Sequence, residues 1–169
     1  MKIALLNDND EIISYKDKLI VHTEGLLHRA FSIVIFNSNN EILLQKRAPD
    51  KYHSGSLWTN TCCSHLPEGN EMSQFIHTRL KQEMGFDCEL NFLEKFHYKT
   101  TFENGLIENE IDYLYTGKFD GNPSPDISEV SEWRWITLNN LRKEIKNNPM
   151  QFTYWFKEIV RLFNLKNIR

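Results

Sequence analysis

The chain is organised around residues 57–83, and this region begins with LWTNTCCSH at 57–65. Cys63 and His65 are two positions apart, so an extended backbone points both side chains to the same face. Cys62 points to the opposite face and is interpreted as a structural residue. A thiol beside an imidazole is a reactive or metal-binding pair, although a free cysteine is also commonly just a small buried residue. The stretch therefore predicts a strand with one chemically active face.

An amphipathic helix is predicted downstream, over residues 71–84, and Gly85 is its natural C-terminal cap. Arg79 and Glu83 are four residues apart and therefore lie on one face of this helix. One short region thus supplies a thiol, an imidazole, a guanidinium and a carboxylate.

Composition limits the class of protein. With 169 residues, 40% hydrophobic and 12% aromatic, the chain is predicted to form one domain, 1–169, with a core over about 26–164. The formal net charge of −3 gives no indication of a nucleic-acid partner, but a local cluster of cations is compatible with a small anionic substrate. Three cysteines, two of them adjacent, indicate reduced thiols. No signal peptide or membrane span is recognised, so we expect a soluble, cytoplasmic protein with no membrane partner.

The pattern of elements is α+β, with most strands in hairpins and a few helices packed on them. A hairpin over residues 3–15 is followed by a connecting loop, 16–25, which has few apolar anchors. We expect this loop to become ordered only when metal and substrate bind. Further strands are predicted at 29–36, 41–47, 86–102, 106–115 and 133–136, and further helices at 138–147, with Thr137 as N-cap, and at 152–163.

Histidines and alternating carboxylates indicate a possible metal site. Glu108 and Glu110 point to one face of a predicted strand, while His22, His28 and His65 lie near other strands. Five such donors with one open position suit an octahedral divalent cation. Each group also has a plainer interpretation. A single histidine is often only hydrogen-bonded, and alternating acidic residues are typical of a solvated strand face.

The end of the helix resembles the end of the Nudix box, R-E-U-x-E-E-x-G-U, where U is apolar. The matching residues are Glu83-Met84-Gly85-Phe86, but Thr78-Arg79 stand at the Arg-Glu positions and Gln82 replaces the first glutamate of the pair. Nudix hydrolases hold their catalytic metals with those carboxylates. Their loss argues against hydrolysis even on a shared fold.

The whole set resembles the type I isopentenyl-diphosphate isomerases, a non-hydrolytic branch of the Nudix superfamily. The resemblance covers nearly the whole chain and rests on LHRAFS at 27–32, LQKR at 44–47, WTNTCCSH at 58–65, ENE at 108–110 and WFK at 155–157. It implies a Nudix-like mixed β-sheet sandwiched by helices, with an additional N-terminal hairpin. It also implies a 1,3-allylic proton shift that interconverts isopentenyl diphosphate and dimethylallyl diphosphate in isoprenoid biosynthesis.

The resemblance assigns roles to single residues. The catalytic residues would be Cys63 and Glu110, on opposite faces of the substrate double bond, with Tyr98 assisting the glutamate. The metal ligands would be His22, His28, His65, Glu108 and Glu110, with Glu83 holding a second magnesium ion at the diphosphate. The substrate-binding residues would be Lys18, Arg47, Lys51 and Arg79 for the diphosphate and Trp155 for the hydrocarbon.

Several alternatives stay open at this point. The His/Glu site accepts magnesium, manganese or zinc, the protein is a monomer or a weak homodimer, and either Cys63 or Glu110 protonates first. A Nudix hydrolase acting on another diphosphate is a rival function and would release phosphate. A binding module without catalysis is a second rival and would hold metal without turnover.

Overall fold

The computed structural model describes residues 1–165, and the predicted single domain also includes 166–169, which lie outside the described residues. The elements in chain order are β1 (Lys2–Leu6), β2 (Ile12–Asp17), α1 (Lys18–Glu24), β3 (His28–Phe36), β4 (Glu41–Arg47), β5 (Trp58–Thr59), β6 (Cys62–His65), α2 (Met72–Met84), β7 (Leu90–Thr101), β8 (Ile107–Lys118), β9 (Val130–Thr137), α3 (Leu138–Asn147), a 3-10 turn (Pro149–Gln151) and α4 (Tyr154–Leu165). The predicted α+β class and the N-terminal hairpin, β1–β2, are confirmed. Among the described residues, no helix is long and apolar enough to cross a membrane.

Strand β3 lies at the centre of a nine-stranded mixed sheet. It pairs in parallel with β8 and antiparallel with β1, β4 and β6. The register places His28 opposite Glu110 of β8 and Ser32 opposite Cys63 of β6. The two strands that carry the predicted catalytic pair therefore lie on either side of β3.

Helices cover both faces of this sheet, as predicted. Along β3 the side chains alternate, so Phe31 and Ile33 pack in a core cluster with α2, while Val34 packs with α3 and α4. Helix α2 ends at Gly85, where φ is 77°. A Cβ atom there would lie 2.2 Å from the Ser124 carbonyl oxygen, so only glycine allows this close approach of the loop after β8.

The interpretation of residues 16–25 as a loop is wrong, because residues 18–24 form α1. The Asp17 side chain caps the helix by accepting a hydrogen bond from the Leu19 amide at 2.9 Å, and Gly25 ends it with φ at 63°. Val21 is an apolar anchor that is completely buried against Ile3 of β1. With only seven residues, the helix is too short to show a helical period, although both of its caps are visible in the sequence. Its ordering on ligand binding stays a prediction.

Other bounds differ at the ends of elements. Strand β9 is longer than the predicted 133–136 because it pairs with the whole of β4, from Glu41↔Thr137 to Arg47↔Val130. Strand β7 begins only at Leu90, since Phe86 stacks on Phe119 at 3.8 Å between ring centroids instead of joining the ladder. Helix α3 has the predicted bounds, and its predicted cap is also present: the Thr137 side chain accepts a hydrogen bond from the Asn140 amide.

Candidate active site

The five residues predicted to hold the first metal come together from four separate elements. One donor atom of each lies within 4.8 Å of the others, and all five side chains are buried. The cluster lies where α1, β3, β6 and β8 meet, and β8 contributes two members because Glu108 and Glu110 point to the same face. The sheet register therefore builds most of this cluster.

The ring orientation of two histidines suits metal binding. His22 Nδ1 lies 2.6 Å from the Lys18 carbonyl oxygen, and His28 Nδ1 lies 2.8 Å from that of Leu26. Since a carbonyl only accepts, each Nδ1 carries the hydrogen and each Nε2 points inward. Glu108 Oε2 lies 3.1 Å and 3.3 Å from these two Nε2 atoms, yet it accepts no hydrogen bond in the described structure. A buried oxygen without a hydrogen bond among converging nitrogens fits a divalent cation.

Glu110 joins this cluster to the rest of the cavity. Its Oε1 lies 3.2 Å from His28 Nε2 and 2.7 Å from His65 Nε2. Its Oε2 accepts a hydrogen bond from the Tyr98 hydroxyl at 2.6 Å. One oxygen of Glu110 thus faces the histidines of the cluster, and the other is held by Tyr98.

The charges within the cluster favour ionised carboxylates and a protonated His28. Burial alone would raise the pKa of Glu108, but the surrounding imidazoles outweigh it and hold the pKa well below its usual range. Burial disfavours the imidazolium form of His28, yet Glu108 and Glu110 raise the pKa of this histidine to about 10. A metal bound at Nε2 has to displace that proton.

Cys63 lies across β3 from Glu110 and lines the same cavity. Burial raises the pKa of its thiol to about 12, although the Arg47 guanidinium, with Nη1 4.0 Å from Sγ, acts in the opposite direction. The thiol is therefore protonated at neutral pH, which suits an acid rather than a thiolate nucleophile. Cys62 is completely buried in the core cluster of α2, as its opposite orientation predicted.

The predicted cations line the same cavity, and two of them, Lys51 and Arg79, form a second cluster with Glu83 and Glu129. Arg79 contacts Glu83, which also accepts a hydrogen bond from Gln45 Nε2 at 2.9 Å, so Glu83 lies apart from the five-residue cluster. The remaining cations are held by aromatic rings and by a carboxylate. The Arg47 guanidinium lies 5.3 Å from the centre of the Trp155 ring, Lys18 Nζ lies 4.3 Å from that of Tyr52, and Lys51 contacts Glu129. All four cations, Glu83 and Trp155 line the cavity.

Two residues of the loop before β5 lie in the site although no pattern in the sequence predicts them there. His53 Nε2 lies 2.7 Å from Glu108 Oε1, and the Tyr52 hydroxyl lies 3.2 Å from His22 Nε2. Lys51, Tyr52 and His53 are consecutive, and each contacts a different part of the site. A turn has no regular period, so no spacing in the sequence indicates where these side chains point.

The interpretation of the alternating acidic residues as a solvated face is wrong. Glu108, Glu110 and Asp112 are 2%, 4% and 1% exposed. Asp112 accepts a hydrogen bond from the Ser32 hydroxyl at 2.7 Å, and burial together with Glu110 raises the pKa of Asp112 well above its usual range. The alternation itself was the signal that this residue joins the site, since it points the same way as Glu110.

Comparison with known proteins agrees with this arrangement. A family model described as NUDIX domain matches residues 26–156. The isopentenyl-diphosphate Delta-isomerase of Burkholderia multivorans is 44% identical, and the match covers 92% of this chain and 88% of that protein. The chain belongs to the isopentenyl-diphosphate Delta-isomerase family. A second member, isopentenyl-diphosphate Delta-isomerase 2 of Photorhabdus laumondii, is 42% identical over 98% of this chain and 94% of its own.

Solved structures show the same fold at much lower identity. DR0079 from Deinococcus radiodurans has a TM-score of 0.79 at 17% identity, covering 95% of this chain and 98% of its own. A MutT protein from Methanosarcina mazei has a TM-score of 0.69 at 14% identity, covering 85% and 96%. The predicted Nudix-like fold and the resemblance to the isomerase family are confirmed. In this chain, Glu83 is the single acidic residue of α2, so the helix lacks the other carboxylates of the Nudix box.

Proposed function

We propose that this protein interconverts isopentenyl diphosphate and dimethylallyl diphosphate in the cytoplasm, as a step of isoprenoid biosynthesis. One observation carries the assignment of roles. A protonated thiol, Cys63, and an ionised carboxylate, Glu110, face one cavity from strands on either side of β3. A 1,3 proton shift needs an acid and a base at two different carbons of the same substrate.

The reaction requires a dry site with an aromatic wall. An alkene is a weak base, and protonating it creates a tertiary carbocation that water would trap as an alcohol. Trp155 is 4% exposed and lines the cavity near Cys63 and Tyr98. Its ring stabilises the developing cation without bonding to it.

Proton transfer balances between two residues. The Cys63 thiol gives its proton to the terminal methylene carbon of isopentenyl diphosphate, which becomes a methyl group. Glu110 takes a proton from the methylene carbon on the other side of the double bond, and the bond shifts by one position. Tyr98, which donates its hydroxyl hydrogen to Glu110 Oε2 at 2.6 Å, orients the base. The reverse reaction exchanges the two roles.

We assign a divalent metal to His22, His28, His65, Glu108 and Glu110, with magnesium or manganese preferred and zinc also compatible with the donors. Such a cation favours the ionised form of a coordinating carboxylate, which here is Glu110. We assign a second magnesium ion, bound with the substrate, to Glu83. The diphosphate oxygens are assigned to Lys18, Arg47, Lys51 and Arg79.

Proton NMR in deuterated water, with isopentenyl diphosphate and magnesium, tests this function. Dimethylallyl signals that appear with deuterium uptake, and without released phosphate, are expected. Released phosphate without an allylic product would move the protein to the hydrolases. An unchanged substrate in the presence of manganese and fresh reductant would favour the binding module.

A further inference from the structure

Glu129 lies among the cations of the cavity, at a position that no motif in the sequence indicates. Its carboxylate contacts Lys51 Nζ, and its Oε2 also lies 3.4 Å from Arg79 Nη2. The side chain is 24% exposed and lines the cavity. Two of the four cations assigned to the diphosphate are therefore already in contact with one carboxylate.

The backbone holds Glu129 firmly in this position. Its carbonyl oxygen accepts a hydrogen bond from the Ala48 amide at 2.9 Å, just after β4, and its own amide donates to the Asp126 carbonyl at 2.9 Å. The Asp126 amide in turn donates to the Glu83 carbonyl in α2 at 3.1 Å. The fold thus ties this acidic residue to the two segments that present the cations, the loop after β4 with Lys51 and helix α2 with Arg79.

The other two cations are held differently. Arg47 donates to the His53 carbonyl oxygen at 3.3 Å and lies over Trp155, and Lys18 lies over the Tyr52 ring. In the described part of the chain, neither forms a salt bridge with a carboxylate. The cavity therefore has two cations without a salt bridge to a carboxylate and two that contact Glu129, of which Arg79 also contacts Glu83.

We propose that Glu129 is an internal competitor for the diphosphate headgroup. It is a positioning residue that forms ion pairs with Lys51 and Arg79 when the site is empty. The headgroup has to displace its carboxylate from these cations in order to bind. This inference rests on the proposed function and deepens it. Breaking the existing ion pairs offsets part of the attraction between the headgroup and the cations. Since substrate and product share the headgroup, the lower affinity favours release of either without changing the equilibrium between them.

The test is calorimetric titration of inorganic pyrophosphate, with magnesium present, into the whole protein. Glu129→Gln keeps the size of the side chain and removes its charge, and we expect about fivefold tighter binding. Glu132→Gln is the matched control, because Glu132 contacts Lys46 at 2.6 Å outside the cavity. This control should bind pyrophosphate as the wild type does. In a Lys51→Met background, the gain from Glu129→Gln should shrink, since one of the competed cations is absent.

Other results would overturn the inference, and they are distinguishable from failure of the proposed function. Unchanged or weaker pyrophosphate binding by Glu129→Gln would make the carboxylate a support or a magnesium ligand rather than a competitor. Absence of pyrophosphate binding by the wild type would remove the diphosphate site itself, and the inference with it. Tighter binding by Glu129→Gln, in a protein that fails the NMR assay, would support the competitor while rejecting the isomerase.

Discussion

The two ends of the cavity use the same acidic residue type in opposite ways. At the metal end, Glu108 and Glu110 are surrounded by imidazoles, and one carboxylate oxygen is left without a hydrogen bond. At the diphosphate end, Glu83 and Glu129 both contact Arg79, and Glu129 also contacts Lys51, so both carboxylates already have cationic partners. The metal end therefore has carboxylate oxygens that can bind a cation. The diphosphate end has cations that can bind an anion in place of Glu129. The partner of a carboxylate, rather than the carboxylate, decides what each end binds.

The largest effect is expected at the proposed acid and base, of which Glu110 belongs to the metal end. We expect Cys63→Ala and Glu110→Gln each to reduce turnover by about a thousandfold or more, because each removes a proton-transfer group. Cys62→Ala is the matched control, since Cys62 lies in the core on the opposite face. It should lower the melting temperature and keep turnover. The NMR assay measures activity, and circular dichroism verifies the fold.

Cys62 and Cys63 are adjacent but face opposite sides of β6, so their variants should behave differently. Near wild-type turnover in folded Cys63→Ala or Glu110→Gln would refute the role of that residue. Loss of turnover in a folded Cys62→Ala variant would show that the whole strand β6, rather than one of its faces, is sensitive to substitution.

A smaller effect is expected at the metal end from His53. This residue contacts the Glu108 oxygen that points away from the other imidazoles, and its ring stacks on Phe102 at 4.4 Å between centroids. Removing a partner that orients a ligand typically costs about 10- to 100-fold in metal affinity. We expect His53→Leu to weaken manganese binding, measured by calorimetry, by that amount.

A surface histidine provides the control for His53. His77 also contacts a carboxylate, Asp87, at 2.6 Å, but neither residue lines the cavity. His77→Leu should leave manganese affinity unchanged. Equal affinities of the His53 and His77 variants would mean that Glu108 needs no support from the loop before β5.

The pH dependence of metal binding tests the same end through His28. In the metal-free protein its pKa is raised to about 10, so the proton is retained below that pH and its stabilising contribution is lost as the pH rises through that value. Metal has to displace this proton, so apparent manganese affinity should rise by up to about tenfold per pH unit between about 6.5 and 8.5. Calorimetry in buffers of different ionisation enthalpy counts the protons released. A pH-independent affinity would contradict a protonated His28.

Residues on regular strands are predictable from the sequence, and residues on turns are not. The two-residue period of a strand places Glu108 with Glu110 and Cys63 with His65 from their spacing alone. What periodicity leaves open is whether such a face is buried. For the two glutamates, that depends on β3, which pairs with β8 although 82 positions separate His28 from Glu110. Within the sequence, only the resemblance to the isomerase family indicates that this face is buried.

The loop residues and the short helix show where the sequence signal ends. The contacts of His53 and Glu129 depend on how turns cross the ends of the sheet, and no local preference encodes that path. The helix α1 has two visible signals, the caps at Asp17 and Gly25, but seven residues hold fewer than two full turns of α-helix. His22 is therefore predictable as a ligand without the element that positions it.

The smallest effect is expected from Glu129. Its contribution to the stability of the fold is lost as the pH falls, whereas that of His28 is lost as the pH rises. Burial raises the pKa of Glu129, but Lys51 and Arg79 outweigh burial and lower it below the ordinary value of 4.5. The ion pairs therefore stabilise the fold above that value, and this contribution is lost as the pH falls through the lowered pKa. We expect Glu129→Gln to reduce the free energy of unfolding by at most about 1 kcal/mol at neutral pH, since the group is partly exposed. Urea unfolding at decreasing pH should show the free energies of unfolding of the wild type and Glu129→Gln becoming equal. A difference that persists in acid would assign the effect to packing rather than charge, and the contrast between the two ends would then lose its electrostatic basis.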